Sequence, residues 1–214
     1  MARYINNPNP YSKTLNRKFT HRFLVLLAFV GGMALAYWLS KVSNIFVALL
    51  GYAFILAFVL IAHNIVKQMG KNDRGEAGEG QVKKLLMSLS DEYTVFQNVP
   101  ILNRLDIDFI VVGPVGVFAI EVKSHKGFNI LLRNKFISQT FAETMGLKEY
   151  LKKSGVDVYV QAALVFTGTY VRYSPPRKGV HVVNKDYLLP LLDRSRKISF
   201  NKENTVAIIS KLYN

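Results

Sequence analysis

Between Phe23 and Val66 the chain carries one charged residue, Lys41. Two apolar runs fill this stretch, Phe23 to Leu39 and Asn44 to Val66, separated only by Ser40-Lys41-Val42-Ser43. A helix needs about 20 apolar residues to cross the hydrocarbon core of a bilayer. Neither run keeps the polar face of a soluble core helix. Tyr37 and Trp38 close the first run, where interfacial aromatic residues are expected. The runs therefore read as a two-helix transmembrane hairpin over residues 23–66. Ala34-Leu35-Ala36 has the small-x-small form of a signal-peptidase site. The long segment before the run and the second run behind it favour a retained span. Gly31-Gly32 and Gly51 are small enough for close helix packing, within the hairpin or between copies in a homo-oligomer. His63 reads as an interfacial residue rather than a ligand.

Charge divides the chain at the same place. Residues 1–72 contain no Asp or Glu, and all 14 acids lie from Asp73 onward. Arg3, Lys13, Arg17, Lys18 and Arg22 precede the first run, and Lys67, Lys71 and Arg74 follow the second. Positive residues stay on the cytoplasmic side. The expectation is an inner-membrane protein with both termini cytoplasmic and a basic arm over residues 1–22. Residues 1–20, with Asn7-Pro8-Asn9-Pro10, lack apolar periodicity and read as flexible or surface-lying. The whole chain has a formal net charge of +14. From Lys67 onward, 22 Lys and Arg still exceed the 14 acids. Such a domain attracts polyanions, either nucleic acid or anionic lipid. Without cysteine, disulfides and thiolate zinc sites are excluded.

Residues 67–75 are polar, contain Gly70 and Gly75, and read as a linker to one domain over 76–214. Val82, Leu85, Leu86 and Leu89 have helical spacing, predicting a helix over 77–89. Strands are predicted over 93–99, 107–112 and 115–122. The last two pair as a hairpin through Gly113-Pro114 and Gly116. Residues 128–132 read as a further strand, 136–153 as a helix ended by Ser154-Gly155, and 158–166 as an apolar central strand. A short strand over 180–183 and helices over 188–192 and 205–212 complete the α/β pattern of a mixed sheet flanked by helices.

Two charges interrupt apolar strands. Asp108 lies in Asp-Ile-Asp-Phe-Ile-Val-Val, and Glu121 in Val-Phe-Ala-Ile-Glu-Val-Lys. Residues two apart on a strand share a face, so Glu121 and Lys123 project together. Running back from the turn brings Asp108 near Glu121. Glu79 and Gln139, on the two helices, approach the same place. Two carboxylates and a carbonyl suit magnesium, which keeps several waters. A metal there activates water for attack on phosphate, and Lys123 holds that water or offsets transition-state charge. The plainer reading is an exposed cross-strand pair that contributes little. For Glu76 and Glu79 the plainer reading is an acid favoured by a helix dipole.

In order, Gly75-Glu76-Ala77-Gly78-Glu79, Ile107-Asp108-Phe109-Ile110-Val111-Val112-Gly113, Gly116 to Lys123, and Gly127 resemble the nuclease-related domain (NERD). This family is a branch of the restriction-endonuclease-like superfamily. The resemblance runs from about Gly75 to at least Gly155, and more loosely beyond. It implies an αβββαβ core and a site of Glu79, Asp108, Glu121, Lys123 and Gln139, with Asp108 and Glu121 on magnesium or manganese. Asp106 competes for the Asp role. The family's Asn-Pro before its Gln is here Asn134-Lys135 at another spacing, and its usual His is Phe109. The function so implied is a membrane-anchored, metal-dependent nuclease acting on DNA. Lys83, Lys84, Lys126, Arg133 and Lys135 are candidates for the phosphate backbone. The alternatives are a non-catalytic nucleic-acid tether and a lipid- or partner-binding module.

Overall fold

The computed structural model describes residues 1–6, 27–32, 34–35, 37–38, 41, 45–101, 105–124, 130–171, 175–195 and 198–213. The chain divides into two compact units, one of Met1–Asn7 with Arg74–Asn214 and one of Pro8–Asp73.

In the first unit the Gly113-Pro114-Val115-Gly116 turn sets the frame. Gly116 has φ +98°, which a side chain resists, and a Cβ there would also lie 2.6 Å from Ile198. The turn joins β3 (Leu105–Gly113) to β4 (Gly116–Lys123) as an antiparallel hairpin, with Val112 opposite Val117 and Phe109 opposite Ile120. β2 (Thr94–Ile101) pairs antiparallel with the other side of β3. β5 (Val160–Phe166) and β6 (Val180–Asn184) follow β4 in parallel. β1 (Arg3–Asn6) lies parallel to β2. Among the described residues the sheet order is β1-β2-β3-β4-β5-β6, and the fold is α/β with a mixed six-stranded sheet.

Helix α1 (Ile45–Met87) sends Val82 and Leu86 into one face of the sheet, against Phe109, Val111, Phe118 and Ile120. Helix α2 (Ile130–Lys153) covers the other face with Leu147 and Leu151, against Ile110, Val112, Val117 and Ala119. The short helices α3 (Leu188–Arg194) and α4 (Lys202–Ser210) each join one of these cores. Burying the largest of these side chains contributes about 1.5–3 kcal/mol apiece. The order α1-β2-β3-β4-α2-β5 is the expected αβββαβ series, with one strand added at each edge.

Several expectations are corrected. Arg3–Asn6 forms an edge strand instead of a free arm. The Tyr4 hydroxyl there donates to Gln97 Oε1, and Tyr213 near the C-terminus donates to the Gln97 carbonyl at 2.7 Å. Residues 67–75 are helical instead of an extended linker. The strand expected over 128–132 gives way to a helix that has begun by Ile130, and residues 125–129 lie outside the described ones. β5 has only β6 beyond it and is not central.

Among the described residues no helix is long and apolar enough to cross a membrane. That finding overturns the two-span hairpin and the localisation built on it. The second apolar run is not a bounded segment. It forms the first half of a 43-residue helix that continues through Lys67, Lys71, Asp73 and Arg74. Much of the first run lies outside the described residues. Among the described residues, a Cβ on Gly31 or Gly32 would meet nothing within 4 Å.

Candidate functional site

The regular alternation of β2 and β3 breaks at one level. Phe96 and Val99 face the same core, as do Ile107 and Ile110, so each strand slips by one residue between them. Asn98 takes up the slip on β2 with φ +54°, a conformation Asn tolerates better than most side chains. On β3 the slip falls at Asp108. The β3–β4 register ends at Phe109 opposite Ile120. Beyond it, the Val122 N–H donates to Asp108 Oδ2 at 2.7 Å. A carboxylate thus replaces a ladder carbonyl, and the hairpin parts where Glu121 emerges.

Glu121 is 4% exposed and pairs through its backbone with Leu164 on β5. The Lys123 ammonium forms a salt bridge with Glu121 Oε1 and sits 5.2 Å from the Phe136 ring centroid. From α2, Gln139 Nε2 donates to Glu121 Oε1 at 3.2 Å and to Glu143 Oε1 at 2.8 Å. Among the described residues, Glu121 Oε2 and Glu143 Oε2 are buried without a donor to either oxygen.

Glu79 arrives from α1 because Gly78 lets the helix touch the end of the sheet. A Cβ on Gly78 would lie 2.6 Å from Thr167 Oγ1 and 2.9 Å from Ser124 Cβ. Ser124 and Thr167 follow β4 and β5 directly, and the Thr167 N–H donates to the Lys123 carbonyl.

All five expected residues therefore meet at one end of the sheet. Asp106, the other candidate for the Asp role, is exposed and pairs with Pro100 in the ladder. Glu143 was not foreseen. Its signal is the four-residue spacing from Gln139, which puts both on one helix face. Gly78 was quoted only as part of a motif, and its packing role needed the structure.

The electrostatics are unbalanced. Four carboxyl groups, Glu79, Asp108, Glu121 and Glu143, face one ammonium among the described residues, that of Lys123. Burial raises Asp108 well above the carboxylate range, and Glu121 and Glu79 push the same way. Glu79 is raised by burial, then by Glu121 and Glu76. Glu143 is raised to about 7 by burial, then by Glu121. Burial works to lower the Lys123 pKa, but Glu121, Asp108 and Glu143 outweigh it, so the ammonium is held above its ordinary value. The neighbouring carboxylates thus favour the protonated form of Lys123. Mutual repulsion of buried carboxylates is relieved by a proton or by a cation.

Among the described residues no group of three or more His, Cys, Asp and Glu is placed to hold a metal ion. Magnesium usually takes only one or two protein carboxylates and keeps its waters. Asp108 with Glu121, whose Oε2 has no donor among the described residues, fits that smaller requirement. Of the proposed phosphate-binding cations, Lys83 stacks over Tyr4 at 4.4 Å, while Lys84 and Lys135 are exposed. Lys126 and the Arg133 side chain lie outside the described residues.

Residues 74–167 match the family described as nuclease-related domain. That span holds Glu79, Asp108, Glu121, Lys123, Gln139 and Glu143. A nuclease-related domain over these residues suggests a nuclease-related function for that part of the chain. An uncharacterized protein of Bacillus anthracis is 36% identical over 83 residues, covering 36% of this chain and 39% of the relative. The chain therefore spans well under half of that relative. No solved structure matches. β1, β6, α3 and α4 lie outside the nuclease-related match.

Proposed function

We propose that the chain is a metal-dependent nuclease that hydrolyses phosphodiester bonds in DNA. The observation that carries this reading is the buried Glu121 carboxylate beside Asp108, salt-bridged to Lys123 on one oxygen and, among the described residues, without a donor on the other. An excess of buried negative charge costs stability, and such groups cluster at functional sites. Asp108 and Glu121 would hold magnesium or manganese. When bound, the ion lowers the pKa of a coordinated water and offsets charge on the phosphoryl oxygens. Lys123, kept protonated, orients the attacking water and stabilises negative charge that develops at phosphorus. Gln139 fixes the Glu121 and Glu143 carboxylates through one amide nitrogen. Glu79 adds a carboxylate from the opposite helix.

The test is incubation of the full chain with linear, supercoiled and single-stranded DNA, and with RNA. Each is run with magnesium, manganese or EDTA, beside a Glu121→Ala, Lys123→Ala variant. Metal-dependent cleavage of DNA that the variant loses supports the reading. Binding without cleavage by either protein replaces it with a tether, and equal cleavage by both places the chemistry elsewhere.

A further inference from the structure

Outside the nuclease-related match, between β5 and β6, the chain makes a tight exposed turn, Arg177-Lys178-Gly179-Val180. Arg177 and Val180 exchange both backbone hydrogen bonds, at 3.0 and 2.9 Å. Lys178 has φ +51° and Gly179 φ +75°. Two successive left-handed residues define a type I′ turn, whose first central position favours Asn, Asp or Gly. Lysine is a poor residue for that backbone. Pro175-Pro176 leads into the turn with φ fixed by the rings.

Beside the turn is a cavity of about 320 Å³ walled mainly by the apolar parts of Asn134, Ile137, Arg177 and Lys178. Asn134 belongs to α2, the helix that carries Gln139, and exposed Lys135 is its neighbour. No acid lines the cavity, and among the described residues neither Arg177 nor Lys178 has an ion pair. Val180 pairs with Ala162 and Ala162 with Ala119, two residues before Glu121. Strand spacing and rise then put Val180 on the order of 12 Å from Glu121, with Arg177 and Lys178 on the side of Val180 away from it.

We propose that the Arg177–Val180 turn is a clamp for the nucleic-acid phosphate backbone, with Arg177 and Lys178 as its donors. The inference rests on the nuclease reading and adds to it a contact surface beyond the matched domain. Strained residues recur at ligand clamps. Asn would serve the turn better, and what lysine adds is the ammonium. Phosphate contacts position a duplex without reading its sequence.

The test is fluorescence anisotropy of labelled duplex DNA with the full chain over a series of salt concentrations, in EDTA to prevent cleavage. Lys178→Asn and Lys178→Gly both suit the left-handed position, so each should melt no lower than the wild type. Each should flatten the dependence of log affinity on log salt by about 0.9, and adding Arg177→Gln should bring the change to about 1.8. An unchanged slope in both Lys178 variants overturns the clamp while leaving the nuclease reading intact. A loss in one Lys178 variant but not the other overturns a charge effect. A wild-type chain that neither binds nor cleaves nucleic acid removes both readings together.

Discussion

The Val122 N–H donates to Asp108 Oδ2 at 2.7 Å, so a side-chain carboxylate ends the pairing of the central hairpin. That bond fixes the Asp108 carboxyl beside Glu121, whose charge repels it. Asp108→Asn keeps an acceptor for Val122 while removing a group whose pKa burial and Glu121 raise. The variant should melt at or above the wild-type temperature without metal and should lose at least about 100-fold in cleavage, as expected when a charge is kept for chemistry at the fold's expense. Paired thermal melts and single-turnover cleavage check it. A variant that unfolds, or one that cleaves normally, is inconsistent with this role.

Glu143 gives a pH signature. Its folded value of about 7 lies above the ordinary 4.5. Between those values the folded state binds more protons than the unfolded one, so stability falls as pH rises through the window. Asp108 and Glu79 are raised as well and act in the same direction. Metal-free melting temperature should therefore drop from about pH 5 to about pH 7, and Glu143→Gln should flatten that drop. A wild-type stability that rises across the window contradicts the arrangement.

Gly78→Ala tests how α1 delivers Glu79. The added Cβ meets Ser124 Cβ at 2.9 Å, a stiff neighbour next to the end of β4. The helix must shift, at a cost of about 1–3 kcal/mol, and Glu79 moves with it. Cleavage should fall with a lowered melting temperature. Gly80→Ala, where a Cβ meets nothing within 4 Å, should leave both near wild type.

Much of the site was legible because it breaks a pattern. Asp108 and Glu121 interrupt strands that are otherwise apolar, and the Gly113–Gly116 turn sets their register. Glu143 gave no such sign, since a lone Glu on an amphipathic helix reads as surface. Arg3–Asn6 was illegible for a different reason. A four-residue strand carries little propensity signal, and its partner, Thr94–Gln97, lies some ninety residues away. The apolar residues 128–132 were too few to separate strand from helix by period. Gly70 and Gly75 suggested a linker, yet the helix runs through both. The membrane expectation treated each apolar run as a closed unit, whereas the second continues into a charged helix whose far end packs on the sheet.

The most direct measurement is metal-dependent DNA cleavage by Glu121→Gln, which keeps the shape of Glu121 and removes its charge. With folding verified by circular dichroism, the account predicts that magnesium-dependent cleavage by the wild type disappears in the variant. Cleavage by Glu121→Gln at the wild-type rate would contradict it.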